Sequence, residues 1–149
     1  MTDSREYPNR PIVAVSGIVL SSDNKVLITR RANSPGKGLW SLPGGGIKSG
    51  EKMQIAVQRE IKEECNITIR ISKLIGVFDR IFYDKKDRVQ YHYVIIDYLC
   101  YTDQTKIQPG SDVDDYAWIL KSDISNYSFT HGVKELLIEG FDNNWSFSG

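Results

Sequence analysis

Two glutamates fall where a helix ought to bury its side chains, and a third lies beside them. From Glu51 to Cys65 the chain contains neither Gly nor Pro, and helix formers dominate. Ser49 or Gly50 is the expected N-cap, with Glu51 the acid of the first turn. At ~100° per residue, with Met53 set at zero, Ala56 falls near ~300°, Val57 near ~40° and Ile61 near ~80°, which marks the apolar stripe. Glu60 at ~340° and Glu64 at ~20° lie in the middle of that stripe, and Glu63 at ~280° flanks it. Buried carboxylates without partners are costly or take up protons, and like charges one turn apart repel. A divalent cation removes both penalties by ligating them. An all-oxygen set favours Mg²⁺, or Mn²⁺, hard cations that accept substrate phosphates as further ligands. The plain alternative is a solvated acidic face whose glutamates pair with Arg59 and Lys62.

Other elements must hold that helix in place. Immediately upstream, Pro43-Gly44-Gly45-Gly46 predicts a tight, irregular turn, because three consecutive glycines are costly in regular structure. Ile12–Leu20 is rich in β-branched residues and ends at Ser21-Ser22-Asp23-Asn24; Val26–Arg31 follows, which predicts a hairpin. Residues 32–38 read as a loop and Leu39–Leu42 as a short apolar segment. Ile67–Phe78 and Val89–Tyr101 read as long strands with a turn at Asp84-Lys85-Lys86-Asp87, and Tyr116–Leu120 as a short one. Thr130 is the expected cap of a last helix over His131–Glu139, ended by Gly140. Two strands, a helix, several strands and a helix predict an α/β sandwich with a mixed sheet between helical layers.

Composition narrows the functions available. A chain of 149 residues is expected to form one domain over 1–149. Lys+Arg and Asp+Glu are equal at 19 each, so no broad basic field selects nucleic acid or an anionic membrane. Phosphate binding must then come from a local site. Cys65 and Cys100 are too few and too far apart for a disulfide scaffold or a zinc site, and read as reduced thiols. Met1 to Asn9 has no apolar core, so no secretory signal is expected, and the apolar runs fall far short of the ~20 residues of a membrane span. The expectation is a cytoplasmic protein.

Spacing adds a sharper signal. Gly45, five residues, Glu51, seven residues, then Arg59-Glu60-Ile61-Lys62-Glu63-Glu64-Cys65-Asn66-Ile67 resembles the Nudix box, G-x5-E-x7-R-E-U-x-E-E-x-G-U, with U bulky and apolar. The match spans residues 45–67 and departs only at Asn66, where the pattern has Gly. Asn is a residue that tolerates the left-handed conformation of a helix end. Arg30-Arg31-Ala32-Asn33-Ser34-Pro35 and the segment Gly38 to Gly46 resemble what precedes the box in many members, and the resemblance covers about residues 10–120. It implies a Nudix-type α/β/α sandwich. It implies Glu60, Glu63 and Glu64 as metal ligands, with the Gly44 or Gly45 carbonyl as another, and an ion pair of Glu51 and Arg59 orienting loop and helix. Arg30, Arg31 and Lys37 become phosphate-contact candidates, or else exposed bases at strand ends. Asp112, six residues before Trp118, resembles the acid that serves some members as general base, or an extra metal ligand; Glu64 is the other candidate.

The activity so implied is Mg²⁺-dependent hydrolysis of the pyrophosphate bond in a nucleoside diphosphate linked to another group. Phe78-Asp79-Arg80 with Tyr91-His92-Tyr93 resembles the small ADP-ribose pyrophosphatase-type members, which makes ADP-ribose the leading substrate. Pyrophosphatases of nucleoside triphosphates, oxidised purines included, are the alternative. From another class comes a non-catalytic nucleotide-binding module, whose usual mark, loss of box acids, is absent here. Phe78, Phe82, Tyr83, Tyr91, Tyr93, Tyr116 and Trp118 could stack on a base, or build core. The expected partner is a small molecule. A homodimer is open, with the aromatic tail Phe141–Phe147 as one possible interface.

Overall fold

The computed structural model describes residues 4–143 and Trp145. In chain order they form β1 (Ile12–Leu20), β2 (Val26–Arg31), β3 (Trp40–Ser41), β4 (Gly44–Gly46), α1 (Met53–Cys65), β5 (Arg70–Tyr83), β6 (Val89–Tyr101), β7 (Val113–Ile119), a 3₁₀ turn (Lys121–Asn126) and α2 (Val133–Asp142). The seven-stranded sheet runs β3-β2-β1-β6-β5, with β4 on β1 and β7 on β2. β1 and β6 are parallel from Ile12↔Tyr93 to Leu20↔Tyr101, and the other pairings are antiparallel. The sheet is mixed, as expected.

Strand alternation divides the core between two faces. Val15 and Val19 of β1 pack with Ala56, Val57, Ile61 and Cys65 of α1 on one side. Ile18 and Leu20 pack with Val133, Leu136 and Leu137 of α2 on the other. A central strand covered on both faces must be apolar along its length, and β1 is buried continuously from Ala14 to Leu20. The result is an α/β/α sandwich. Both cysteines are free and buried, and burial pushes each thiol up to about 12.

Several local expectations are corrected. The glycines do not form an irregular turn: Gly44–Gly46 is a strand, registered on β1 as Ala14↔Gly46, Val15↔Gly45 and Ser16↔Gly44. The glycines are there for close approach, since a Cβ on Gly44 would overlap the Val15 carbonyl oxygen and stand 2.6 Å from Ser16 Cα. The expected hairpin is nominal, with β1 and β2 meeting at Leu20↔Val26 while β2 pairs along its length with β7. α1 starts at Met53 after Lys52, with no side-chain cap. Glu51 stays outside the helix because its carboxylate takes the Lys48 N–H and the Arg59 guanidinium. The last helix begins after Gly132 at φ 85°, because the Thr130 N–H is bound to the Trp40 carbonyl. Gly140 does not end α2; the Trp145 ring occupies the place its Cβ would take. Asn66 does adopt φ 58°, with its N–H on the Lys62 carbonyl, as its place at the helix end predicts. Asn144, Ser146 and Phe147 of the tail lie outside the described residues.

Gly44→Ala should lower Tm by roughly 5 °C or more, because the clash is with backbone of the central strand, which cannot step aside. Circular dichroism melting checks this, and an unchanged Tm would mean that β4 does not press on β1 as described.

Candidate active site

A cavity of about 550 Å³ opens beside β4, between the glutamates of α1 and the N-terminal end of α2. Glu60 and Glu64 line it. The Glu64 carboxylate accepts the Gly44 N–H at 3.1 Å, and burial pushes its pKa up to about 8. Burial also raises Glu60, against the opposing pull of Arg59. A Cβ on Gly45 would stand 2.5 Å from the Glu60 carboxyl, so the bare backbone of β4 lies directly against these acids. Glu63 is different: its side chain is 55% exposed and sits outside the cavity wall.

Arg59 ties the acids together. Its guanidinium grips Glu51 through Nε at 2.7 Å and through a second nitrogen at 2.9 Å. It also donates to the Gly46 carbonyl at 3.0 Å, to Glu60 at 2.9 Å and to Glu63 at 3.2 Å. The Arg59 contact, aided by the Lys48 N–H, holds Glu51 down at about 2. One side chain thus fastens the loop before α1, strand β4 and the helix to each other.

Arg31 and Asp112 line the same cavity, and the Asp112 charge helps to raise Glu60 and Glu64. Arg31 Nε donates to the Pro35 carbonyl at 2.5 Å. Asp112 accepts Asn33 Nδ2 at 3.0 Å, and its carbonyl accepts the Ala32 N–H. Arg30 points elsewhere, pairing with Asp114 at 2.6 Å, and neither it nor the exposed Lys37 lines the cavity. Arg5 and Arg80 do line it, as do Tyr93 and Phe82. Arg5 lies in a segment without any periodic pattern, so nothing in the sequence singles it out. Arg80 sits within a motif noted for resemblance, and its alternation with Phe82 on one face of a strand was the usable signal. Of the aromatic residues, Tyr116 and Trp118 pack against the core on the α1 side and Phe78 on the α2 side.

Among the described residues no three His, Cys, Asp or Glu side chains stand close enough to share one ion, because Glu63 is drawn onto Arg59. The donor set nonetheless suits a hard cation. Glu60 and Glu64 offer carboxylate oxygens beside a glycine backbone that no side chain shields, and Glu64 makes no ion pair among the described residues, Arg31 acting on it only at a distance.

A mixed sheet between two helices, with glutamates of one helix laid on a glycine strand, is the architecture of the Nudix hydrolases. The NUDIX domain model matches residues 10–138, and the chain belongs to this family. Nudix hydrolases cleave phosphoric anhydride bonds and generally need a divalent metal. The chain is 33% identical over 121 residues to an ADP-ribose pyrophosphatase of Methanocaldococcus jannaschii, covering 81% of this chain and 69% of that one. It is 25% identical over 128 residues to the nucleoside triphosphatase NudI of Escherichia coli, covering 80% and 89%. A MutT NUDIX hydrolase structure from Burkholderia pseudomallei superposes with TM-score 0.75 at 26% identity, over 87% of this chain and 98% of that one. No helix among the described residues is long and apolar enough to cross a membrane.

The raised pKa of Glu64 has a consequence for the metal-free protein. Its folded value of about 8 lies above the ordinary 4.5, so the folded state binds this proton more tightly than the unfolded one. The stability it confers is complete below pH 4.5 and is lost as pH rises towards 8. In chelator, the Tm of wild type should therefore fall relative to Glu64→Gln across that window. A difference independent of pH would show that Glu64 is not held in a desolvated site.

Proposed function

We propose that this chain is a Mg²⁺-dependent pyrophosphatase of nucleoside diphosphates linked to a second group, with ADP-ribose as substrate. The observation that carries the reading is the pair Glu60 and Glu64, one of them half-buried and held by the Gly44 N–H, in a cavity that Arg31 and Arg5 also line. In this reading Glu60, Glu63 and Glu64, with the Gly44 or Gly45 carbonyl, hold the ion, Glu63 leaving Arg59 to do so. When bound, the ion supplies neutralisation of the diphosphate charge and polarisation of a phosphoryl oxygen. Arg31 and Arg5 bind phosphate oxygens. Asp112, tethered by Asn33 at the cavity edge, takes the proton of the attacking water; Glu64 is the alternative for that step. Glu51 contributes by fixing Arg59, and with it the position of α1 against β4. Arg30 and Lys37, turned away from the cavity, have no place in this assignment.

Charge favours the diphosphate. Glu60, Glu64, Asp97 and Asp112 line the cavity against Arg5, Arg31 and Arg80. A triphosphate brings more negative charge to a site already rich in carboxylates, whereas ADP-ribose carries a neutral ribose beyond its second phosphate. The similarity to an ADP-ribose pyrophosphatase at 33% identity supports the same choice. The likeness to NudI, which extends over 89% of that enzyme, keeps nucleoside triphosphates as the second reading. A small-molecule substrate also accords with the balanced charge of the chain.

Purified protein should hydrolyse ADP-ribose to AMP and ribose 5-phosphate in millimolar Mg²⁺ and stop in excess EDTA. Its kcat/KM for ADP-ribose should exceed those for dGTP and 8-oxo-dGTP. A hundredfold preference for either triphosphate would transfer the assignment to the second reading, and full turnover in EDTA would remove the metal from it. Glu64→Gln should lower kcat by roughly a hundredfold or more while the protein stays folded.

A further inference from the structure

The cavity continues past the phosphate-facing groups onto the sheet. On β1, Ile12, Ala14 and Ser16 share the face that Ile18 and Leu20 present to α2; on β6, Ile95 and Asp97 share the face of Leu99 and Tyr101. α2 covers the far half of both rows and leaves the near half as the cavity floor. The residues at that floor are apolar at Ile12, Ala14 and Ile95, with the Tyr93 hydroxyl turned to Arg5 at its outer end and the pair Ser16 and Asp97 at its inner end. Asp97 is 2% exposed, lies opposite Ser16 in the parallel register, and accepts the Ser16 hydroxyl on one carboxylate oxygen. Among the described residues its side chain makes no other hydrogen bond and no ion pair. Arg80, whose positive charge acts on Asp97, instead donates to the Asp79 carbonyl and lies 5.3 Å over the Phe78 ring.

A central strand in a parallel pairing is an expensive place for a carboxylate. Its surroundings say what would offset that. Ionised, it accepts hydrogen bonds and donates none, so its partner must present N–H or O–H groups. The flat walls of Ile12, Ala14, Ile95 and Phe82, with Leu136 from α2, suit an aromatic heterocycle better than a hydrated sugar. The spacing agrees. Gly44, whose N–H holds Glu64, pairs with Ser16, and Ser16 pairs with Asp97, so Asp97 lies two strands, on the order of 10 Å, from the metal-facing glutamate contact. A nucleoside spans about that separation between its phosphate and the edge of its base.

We propose that Asp97, oriented by Ser16, is the residue that reads the nucleobase, selecting a purine that turns an amino group towards it. This rests on the proposed hydrolase reading and extends it from the diphosphate to the base. Adenine offers its exocyclic amino group to the free carboxylate oxygen. Hypoxanthine turns a carbonyl oxygen to the same place, where it meets negative charge. Burial lifts Asp97 only to about 6, so the acceptor form prevails at neutral pH.

The test compares ADP-ribose with its hypoxanthine counterpart, and ATP with ITP, on wild type and Asp97→Ala. Wild type should prefer the adenine form by about tenfold in kcat/KM, the value of one hydrogen bond to a charged group. Asp97→Ala should bring that ratio close to one, through KM more than kcat, while hypoxanthine substrates change little. Asp97→Asn keeps the shape and removes the charge, so it should lower the preference several-fold and decides the matter if Asp97→Ala does not fold. A base preference unchanged in the variants overturns the proposal, as does an equal loss for both bases. Calorimetry with ADP and IDP reads the same preference without turnover. If wild type hydrolyses none of these substrates yet loses its preference for ADP on substitution, the base reader stands and the hydrolase reading falls.

Discussion

Everything at this site depends on how closely the backbone of β4 can approach α1 and β1 at once. Gly44 has no room for a Cβ beside the Val15 carbonyl, and Gly45 has none beside the Glu60 carboxyl. That approach is possible because β1 shares one edge between two partners, β2 at its end and β4 along Ala14–Ser16. The Gly44 N–H is then left to meet Glu64 rather than a facing strand. Substituting any larger residue would push the strand away from the helix and separate the glutamates from the amide that orients one of them. The cost of glycine in a strand is real, and here it purchases contact between peptide groups and carboxylates.

Arg59 distributes the remaining charge. It satisfies Glu51 in a bidentate grip and still reaches Glu60, Glu63 and the Gly46 carbonyl, a use of five donors that lysine could not match. Glu51 therefore stays charged far below ordinary carboxylate pKa values, while Glu64, which Arg59 does not reach, is driven the other way by burial. Residues of the same type, set by the same motif, come to opposite electrostatic ends because one guanidinium has a finite reach. Glu51 and Arg59 form the frame; Glu64 is left with an unmet demand for positive charge.

The sequence made the helix and its chemistry legible because both depend on local periodicity. The wheel placed Glu60 and Glu64 on the buried stripe and Glu63 at its flank, which is how they are disposed towards the cavity. Asn66 was legible for a similar reason, since a helix end needs a left-handed residue and little else supplies one. What the sequence hid was set by tertiary packing. Three glycines read as a turn because their entropy cost is visible locally, whereas the neighbours that forbid a Cβ come from β1 and α1. Arg30 and Arg31 are adjacent and look equivalent, but a strand sends them to opposite faces, and only one reaches the cavity. Gly140 looked like a helix stop until the ring of Trp145 accounted for it.

The same logic of faces accounts for where the cavity ends. Residues of one parity along β1 and β6 would form a single apolar floor if α2 were long enough to cover them all. α2 spans Val133–Asp142, and it begins only after Thr130 has been anchored to Trp40, so its first turn stops short of the near half of the floor. An uncovered apolar row exposes hydrophobic surface without return unless something occupies it. Ser16 and Asp97 stand at the boundary, the last residues of that parity before the rows become core. A carboxylate placed one step further along β6 would be sealed beneath α2 with no ligand to meet it, and one placed a step earlier would be open to water. The parallel register that sets Ser16 beside Asp97 therefore does two things with one pairing: it closes the centre of the sheet, and it puts the buried acceptor at the cavity, where a bound molecule can complete its hydrogen bonds.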